Sequence, residues 1–398
     1  MSEVLLTNRR WNETIVVPSS KALAHRAIIC AGLSETPLEN LRIHGGLSDD
    51  LLVTAAAVAK FHSGADVDFG ESGSSLRFLV PVFAALGKRM RFTGGERLSE
   101  RPIAPLLSEL ARHGVRISAE RLPFEISGNL DGGEFVLPGN VSSQFVTGLL
   151  LALPLTEKGG VVRLSSPLES KPYVDMTVQI LSKFGVAVEA GENFWRVQPS
   201  SRYCRRDDVL EIEGDWSSAA FPMVAAAIGS EAIAVGGLKE DSLQGDRRIA
   251  DLLVQFGAHV DFHDGMCVVS RGSLRAFGDI DVHDMPDSVP ALAVLAGVSE
   301  GVTRFTHCGR LRLKESDRLE AVRSMIVALG GRATACGDAL EVHGVERYAG
   351  GIVDGCNDHR IVMAAAAAAC ASSGCVRIIG AEAVSKSWKN FWQETGAK

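Results

Sequence analysis

No apolar run in this 398-residue sequence approaches the roughly 20 residues that span a bilayer. Met1 to Arg10 are polar and charged, not a basic start followed by an apolar block, so the expectation is a soluble, cytoplasmic protein. The eight cysteines (Cys30, Cys204, Cys267, Cys308, Cys336, Cys356, Cys370 and Cys375) form no C-x-x-C pair. Several lie within apolar stretches such as Ala27 to Leu33 and Met363 to Ala371, which predicts buried free thiols in a reducing compartment, not disulfides or zinc. Positive charge is not in excess: 41 Lys and Arg face 48 Asp and Glu, for a net charge of −7. That balance argues against a general nucleic-acid binder and leaves an anionic small substrate possible only through a local basic cluster. G-x-x-x-x-G-K-[ST] and a strand-terminal G-x-G-x-x-G are both missing, so a nucleoside triphosphate or dinucleotide is not favoured. His259 and His263, four apart in an apparent strand, read as chance placement, and no metal is expected.

What is present is enough for two domains: the length exceeds that at which one core stops growing, and 46% of residues are apolar. A repeat runs through them. LARHGVRI, LSKFGVAVE, LLVQFGAHVDF and MIVALGGRATA each carry an apolar helix, a glycine and a short alternating strand. The glycines Gly114, Gly185, Gly257 and Gly330 are spaced by 71, 72 and 73 residues, with Gly64 in a fifth copy. A glycine just past a helix supplies the left-handed closing conformation, so the spacing marks recurring units.

A second element recurs six times, as a polar cluster opening a nearly all-apolar helix: Ser19-Ser20, Ser74-Ser75, Ser142-Ser143, Ser217-Ser218, Asp287-Ser288 and Asn357-Asp358. One such cluster would read as plain N-capping. Six imply more. Helices apolar on every side, such as LRFLVPVFAALG and IVMAAAAAACA, must be enclosed in a core. If three lie parallel in each domain, their N-termini converge on one surface where free N–H groups and positive dipole ends suit anions. The predicted architecture is α/β, with two domains of three units each, chain crossings near Val16 to Pro18 and Ile212 to Asp215, and a ligand cleft between the domains.

Cations flank these helix starts. Lys21 follows Ser19-Ser20 with Arg26 beyond it, Arg77 follows Ser74-Ser75, and Arg360 follows Asn357-Asp358-His359. In LKESDRL, Lys314 and Arg318 are four apart and share a helical face, although a solvated face with internal ion pairs reads equally well. In RLSERP, Arg101 precedes a proline, which biases its backbone to extended geometry and lets the side chain project.

The series SSKALAHRA, GESGSSLRF, ERLSERPI, SSQF, SKPYVD, EGDWSSA, QGDRRIAD, MPDS, KESDRL, NDHR and SKSW, running in order from Pro18 to Trp388, resembles the 5-enolpyruvylshikimate-3-phosphate synthases. The resemblance implies two domains of three βαβαββ units (an inside-out α/β barrel fold) that close on the substrates. The N-terminal domain would be 15–214, mainly for shikimate 3-phosphate, and the C-terminal domain 1–14 with 215–398, mainly for phosphoenolpyruvate. It also implies transfer of the enolpyruvyl group of phosphoenolpyruvate to the 5-hydroxyl of shikimate 3-phosphate with release of phosphate, by a monomer needing no cofactor. By correspondence, shikimate 3-phosphate would meet Arg26, Ser74, Ser142, Ser143, Gln144, Ser170, Tyr173, Asp287 and Lys314. Phosphoenolpyruvate would meet Lys21, Gly73, Arg101, Gln144, Arg318, Arg360 and Lys386.

Each of those substrates carries a phosphate and a carboxylate, so bidentate Arg for carboxylates and Lys, Ser and helix N-termini for phosphates are the fitting tools. The enol carbon becomes electrophilic only as its methylene is protonated, which calls for an acid at that carbon and a base at the hydroxyl. Asp287 is the candidate base and Glu315 the candidate acid, with Lys21 the third catalytic candidate. Lys314 and Arg318 favour a charged Glu315, which the anionic substrates must offset. The sequence departs from the family pattern at Ala22, where serine is usual, at Glu71, where asparagine is common, and at Arg310. These changes bear on acceptor identity. A related transferase acting on UDP-N-acetylglucosamine typically has a loop cysteine, and the corresponding stretch, Arg89 to Arg101, has none. Two further readings are a paralogue that uses a different acceptor and a non-catalytic relative that only binds anions.

Overall fold

The computed structural model describes residues 2–7, 10–199 and 201–397; of the termini placed in the C-terminal domain, Met1, Asn8, Arg9 and Lys398 lie outside them. The chain divides into two compact units. Unit 1 comprises residues 1–20, 44–48 and 213–398, and unit 2 comprises residues 21–43 and 49–212.

Unit 2 holds α1 (Lys21–Leu33), α2 (Asp49–Val58), α3 (Gly73–Ala85), α4 (Ala104–Arg112), α5 (Ser143–Ala152) and α6 (Lys171–Lys183). Unit 1 holds α7 (Trp216–Ile228), α8 (Arg248–Phe256), α9 (Val289–Ala296), α10 (Arg318–Ala328) and α11 (His359–Ala368). The apolar helices are enclosed as their composition requires, with every residue of α7, α9 and α11 buried. Helices α8 and α4 instead alternate buried and exposed positions and cover their units from outside.

Among the described residues there are six sheets, three to a unit. Four share one plan. Val67–Asp68 pairs in parallel with Met90–Thr93, then Phe124–Gly128 and Val115–Ile117 follow antiparallel. The same order recurs in Gly133–Leu137 with its partners, in Thr14–Val16 with Ile233–Gly236, and in Gly278–Asp281 with Val302–Thr306. This is βαβαββ, in which a parallel pair needs a helical crossover and a hairpin closes the unit. The first repeat of unit 2 keeps only the parallel pair Leu41–Arg42 and Leu210–Glu211. In the last repeat of unit 1, Glu3–Leu6 joins Val376–Ile379 antiparallel.

The four spaced glycines all adopt the left-handed conformation, with φ of 92°, 80°, 96° and 85° at Gly114, Gly185, Gly257 and Gly330. The helix starts differ in detail from the sequence reading. Ser72 and Asp215, each two residues ahead of the expected pair, carry the side-chain caps of α3 and α7, and Ser288 makes no side-chain cap at all. A cap must have extended backbone, and Ser74, Ser75, Ser217 and Ser218 already lie inside the first turn. Ser142 and Asp358 do cap α5 and α11. Helices α3 and α5 touch at Gly148, where a Cβ would lie 2.2 Å from the Arg77 carbonyl oxygen.

The cysteine expectation holds in part. All eight are free, but only Cys30, Cys267 and Cys308 are buried, and Cys204, Cys336, Cys356 and Cys375 are exposed outside the apolar helices. No helix among the described residues is long and apolar enough to cross a membrane, and no group of three or more His, Cys, Asp or Glu side chains there could hold a metal.

Candidate active site

Most of the predicted residues of unit 2 stand at the N-terminal ends of α1, α3, α5 and α6, with Arg101 in the segment before α4 and Arg26 further along α1. Lys21 opens α1 and donates to Asp50 Oδ2 at 2.8 Å, with both side chains mostly shielded from solvent. Gly73 opens α3. A Cβ there would meet Arg101 Nη1 at 2.6 Å and Arg77 Nη1 at 2.7 Å, so two guanidinium groups rest on this one bare backbone position. Arg101 has the extended backbone expected before proline (φ −73°, ψ 139°), and its buried Nε has no hydrogen-bond partner. A buried donor without an acceptor is costly, and an anion brought to this group would supply the missing acceptor.

Arg77 fixes this arrangement. Its Nε and Nη2 donate to the Pro102 carbonyl at 3.2 and 2.9 Å, and its Nη1 donates to Gln144 Oε1 at 3.0 Å. Gln144 Nε2 in turn donates to Ser74 Oγ at 2.9 Å. One arginine thus ties the Arg101 loop to the starts of α3 and α5. Ser142 accepts from the Gln144 backbone N–H at 3.3 Å, and Ser143 is buried beside it. Ser170, at the start of α6, is held in the left-handed region at φ 60°, a strained conformation for a non-glycine residue. Its carbonyl accepts from the Tyr173 N–H at 3.1 Å.

Arg26 lies deeper than its place in the motif suggests. It is 1% exposed and donates to Thr177 Oγ1 at 2.8 Å, Thr147 Oγ1 at 3.2 Å, and the carbonyls of Ala22 and Tyr173 at 2.5 and 2.8 Å. Burial opposes its charge, so its pKa falls. It binds α1 to α5 and α6, and with them the positions of Tyr173 and Lys21. Beneath Lys21, His25 Nδ1 meets Thr54 Oγ1 at 2.6 Å, and burial holds its pKa well below the usual value.

In unit 1 the predicted charges other than Lys386 form one network, buried at Arg318 and Arg360 and partly buried at Asp287, Lys314 and Glu315. Asp287 Oδ1 accepts from Arg318 Nη1 at 2.7 Å and pairs with Lys314 Nζ at 3.1 Å, while its Oδ2 accepts from Arg360 Nη2 at 3.1 Å. Burial pushes its pKa up, but Arg360, Lys314 and Arg318 outweigh burial and hold it well below the usual carboxylate range. Arg318, 1% exposed, also donates to Asp358 Oδ2 at 2.8 Å and Glu315 Oε2 at 2.5 Å. Burial works against its charge, and Asp358, Glu315 and Asp287 more than restore it. Lys314 is different: burial lowers its pKa on balance, with Asp287 pulling the other way. Lys386 Nζ donates to the Asn357 carbonyl at 2.7 Å, placing it beside the capping residue of α11.

The sequence-based site therefore resolves into two groups, Lys21, Arg26, Gly73, Ser74, Arg101, Ser142, Ser143, Gln144, Ser170 and Tyr173 in unit 2, and Asp287, Lys314, Glu315, Arg318, Arg360 and Lys386 in unit 1. Sequence reasoning missed Asp50, and it marked Arg77, Asp358 and Ser217 as helix-start residues without giving them a place in the site; Ser217 Oγ accepts from Arg360 Nη2 at 3.0 Å. Arg77 and Asp358 lie within GESGSSLRF and NDHR, but Asp50 carried no signal beyond an acidic first helical turn. Of the departures, Ala22 offers only its carbonyl to Arg26. Glu71 points its carboxylate at Gly95, whose Cβ would lie 1.8 Å from Oε1. Arg310, in the turn Gly309–Leu313, adds positive potential at Lys314.

The sequence profile of the EPSP synthase (3-phosphoshikimate 1-carboxyvinyltransferase) family matches residues 47–395. A 3-phosphoshikimate 1-carboxyvinyltransferase of Clostridium kluyveri is 36% identical over 99% of this chain and 96% of its own length. One of Brachyspira hyodysenteriae is also 36% identical, over 97% of this chain and 96% of its own. In fold, the chain is similar to the solved EPSP synthase of Acinetobacter baumannii, with a TM-score of 0.78 at 24% identity over 99% and 97% of the two chains. It is also similar in fold to the enolpyruvyl transferase NikO of Streptomyces tendae, with a TM-score of 0.73 at 17% identity over 98% and 95%.

Proposed function

We propose a division of labour among the residues of this chain, which belongs to the EPSP synthase (3-phosphoshikimate 1-carboxyvinyltransferase) family. The enzyme transfers the enolpyruvyl group of phosphoenolpyruvate to the 5-hydroxyl of shikimate 3-phosphate, releasing phosphate, in aromatic amino-acid biosynthesis. On our reading Arg26, Ser74, Ser142, Ser143, Gln144, Ser170, Tyr173, Asp287 and Lys314 serve shikimate 3-phosphate, with Arg26 acting from the interior by holding its neighbours. Lys21, Gly73, Arg101, Gln144, Arg318, Arg360 and Lys386 serve phosphoenolpyruvate. The observation that carries this assignment is Arg101, whose Nε is buried without a partner and whose Nη1 rests on the bare backbone of Gly73, the residue before Ser74.

Asp287 is the proposed base and Glu315 the proposed acid. The oxygen of the 5-hydroxyl bonds to the enol carbon, the methylene takes a proton from Glu315, and Asp287 takes the hydroxyl proton. The phosphate then leaves with the electron pair of its carbon–oxygen bond as a proton returns from the new methyl group. Asp287 is ionised as a base must be, yet three cations make it a weak one. Substrate carboxylate and phosphate groups that draw Arg318, Arg360 and Lys314 outward would strengthen the base and free Glu315 from Arg318 in the same event. We assign the shikimate 3-phosphate role mainly to residues 15–214 and the phosphoenolpyruvate role mainly to residues 1–14 with 215–398. We place the enzyme in the cytoplasm as a monomer.

The test is phosphate release on mixing the purified protein with both substrates, with phosphoenolpyruvate alone as the control. Turnover only with both supports the assignment. Tight binding of phosphoenolpyruvate without turnover would favour another acceptor, the reading that Ala22 and Glu71 allow.

A further inference from the structure

We propose that Asp246 is a positioning residue for phosphoenolpyruvate: set behind Asp287, its carboxyl governs by its charge whether the Arg360 guanidinium is drawn inward or released to the substrate anion. This rests on the reading that Arg360 meets phosphoenolpyruvate. Asp246 sits in the turn Gly245–Arg247 and is 3% exposed. The turn is pinned to the start of α7: Gln244 Nε2 donates to the Gly214 carbonyl at 2.9 Å, and Gln244 Oε1 accepts from the Trp216 N–H at 3.1 Å. Asp246 Oδ1 accepts from Ser288 Oγ at 2.6 Å, next in sequence to Asp287.

Arg360 reaches the same stretch of backbone, its Nη1 donating to the Asp287 carbonyl at 3.4 Å, and the charges acting on Asp246 come from three helix starts: Asp215 from α7, Asp287 from α9 and Arg360 from α11. Of its own turn, Arg247 pairs with Asp251 at 3.4 Å and Arg248 donates to the Asp281 carbonyl at 2.8 Å. Lys314 and Arg318 sit on Oδ1 of Asp287, and Arg360 sits on Oδ2. Burial first, then the charge of Asp287, push the Asp246 carboxyl up to about 7, with Asp215 adding to this and Arg360 and the Ser288 hydrogen bond opposing it. Below that pH the carboxyl is neutral and Arg360 answers mainly to Asp287. Above it, a second negative charge competes for the same guanidinium.

The sign follows from linkage. A bound anion that takes up Arg360 raises the Asp246 pKa further, so phosphoenolpyruvate binds the protonated form more tightly. Its affinity is full below about pH 7 and falls as the pH rises. Each unit by which the anion displaces this titration is a tenfold change in affinity.

The experiment measures the KM for phosphoenolpyruvate at saturating shikimate 3-phosphate between about pH 6 and about pH 9. In the wild-type enzyme KM rises roughly tenfold across that range. In Asp246→Asn the rise is flattened, and in Ser288→Ala it moves to higher pH, because the hydrogen bond that held the pKa down is gone. Calorimetry of phosphoenolpyruvate binding, in buffers of different ionisation heat near pH 7.5, reads the same linkage without turnover: the wild type takes up more of a proton than Asp246→Asn. Absent binding of phosphoenolpyruvate would sink the functional reading. Binding with equal proton uptake and parallel pH profiles in all three proteins would overturn the role of Asp246. Should Asp246→Asn fail to fold, an unmoved KM rise in Ser288→Ala overturns it alone.

Discussion

A single methyl group placed at Gly73 should separate catalysis from stability. Its carbon would lie 2.6 Å from Arg101 Nη1, 2.8 Å from Arg101 Cζ and 2.7 Å from Arg77 Nη1. Non-bonded heavy atoms rest at about 3.5 Å or more, so Arg101 must withdraw by about 0.9 Å. Arg77 has less freedom, because its Nε and Nη2 are committed to the Pro102 carbonyl and its Nη1 to Gln144. The larger displacement therefore falls on Arg101 and its loop, with a smaller one at Arg77 Nη1, 2.7 Å from the new carbon. Losing or stretching one charge-assisted hydrogen bond costs about 1.5–3 kcal/mol, which converts to roughly a ten- to hundredfold rise in the KM for phosphoenolpyruvate. The KM for shikimate 3-phosphate should stay within about threefold, since Ser142, Ser143 and Ser170 stand at the starts of other helices, α5 and α6. Stability should not fall, because Gly73 lies in the first turn of α3 and alanine is the better helix former by about 1 kcal/mol. The assay is steady-state phosphate release with each substrate varied in turn, alongside a thermal melt of Gly73→Ala. Equal increases in both KM values, or a lowered melting temperature with an unchanged phosphoenolpyruvate KM, would refute the reasoning.

Further outcomes follow from the same contacts. Arg318→Met leaves Asp287, Asp358 and Glu315 without their shared cation in a buried site, and denaturant unfolding should show a loss of about 3–5 kcal/mol together with loss of turnover. Asp287→Asn should reduce kcat by about two to four powers of ten, measured under saturating substrates. Because its folded pKa is depressed, the stability Asp287 contributes is present above its unfolded pKa of about 3.9 and is lost as the pH falls through the folded value. Acid unfolding of the Asn variant should accordingly lack that steep component below about pH 4. Gly148→Val forces a branched side chain against the Arg77 carbonyl and should destabilise unit 2 by about 1–3 kcal/mol, read by proteolysis and thermal melting. Asp50→Asn removes the partner that holds Lys21 at 2.8 Å, and it should raise the phosphoenolpyruvate KM while leaving the melting temperature nearly unchanged.

Much of this was legible in the sequence where the signal was local. Glycines at a fixed spacing after apolar helices foretold left-handed closures, and they are there at Gly114, Gly185, Gly257 and Gly330. All-apolar helices foretold enclosure, and α7, α9 and α11 are enclosed throughout. The exact caps were harder to read, because several polar residues in a row can each serve and only backbone geometry decides between Ser72 and Ser74. Arg26 was hardest. Its neighbours in sequence suggested a ligand group, but its hydrogen bonds run to Thr147 and Thr177, 121 and 151 residues away. The same holds for Asp50 beneath Lys21 and for Asp246 behind Asp287, since a carboxylate's role depends on which cation the fold brings to it. A pairing such as Glu3–Leu6 with Val376–Ile379 joins the two ends of the chain, and short-range periodicity cannot reveal it.

The central claim is that the acceptor hydroxyl attacks the enol carbon, so that phosphoenolpyruvate breaks at carbon–oxygen and not at phosphorus–oxygen. Phosphoenolpyruvate labelled with heavy oxygen in the bridge between carbon and phosphorus tests this directly, with shikimate 3-phosphate as acceptor and mass analysis of the phosphate released. The label should appear wholly in the phosphate. Label retained on the three-carbon fragment, or phosphate released at the same rate without the acceptor, would contradict the account.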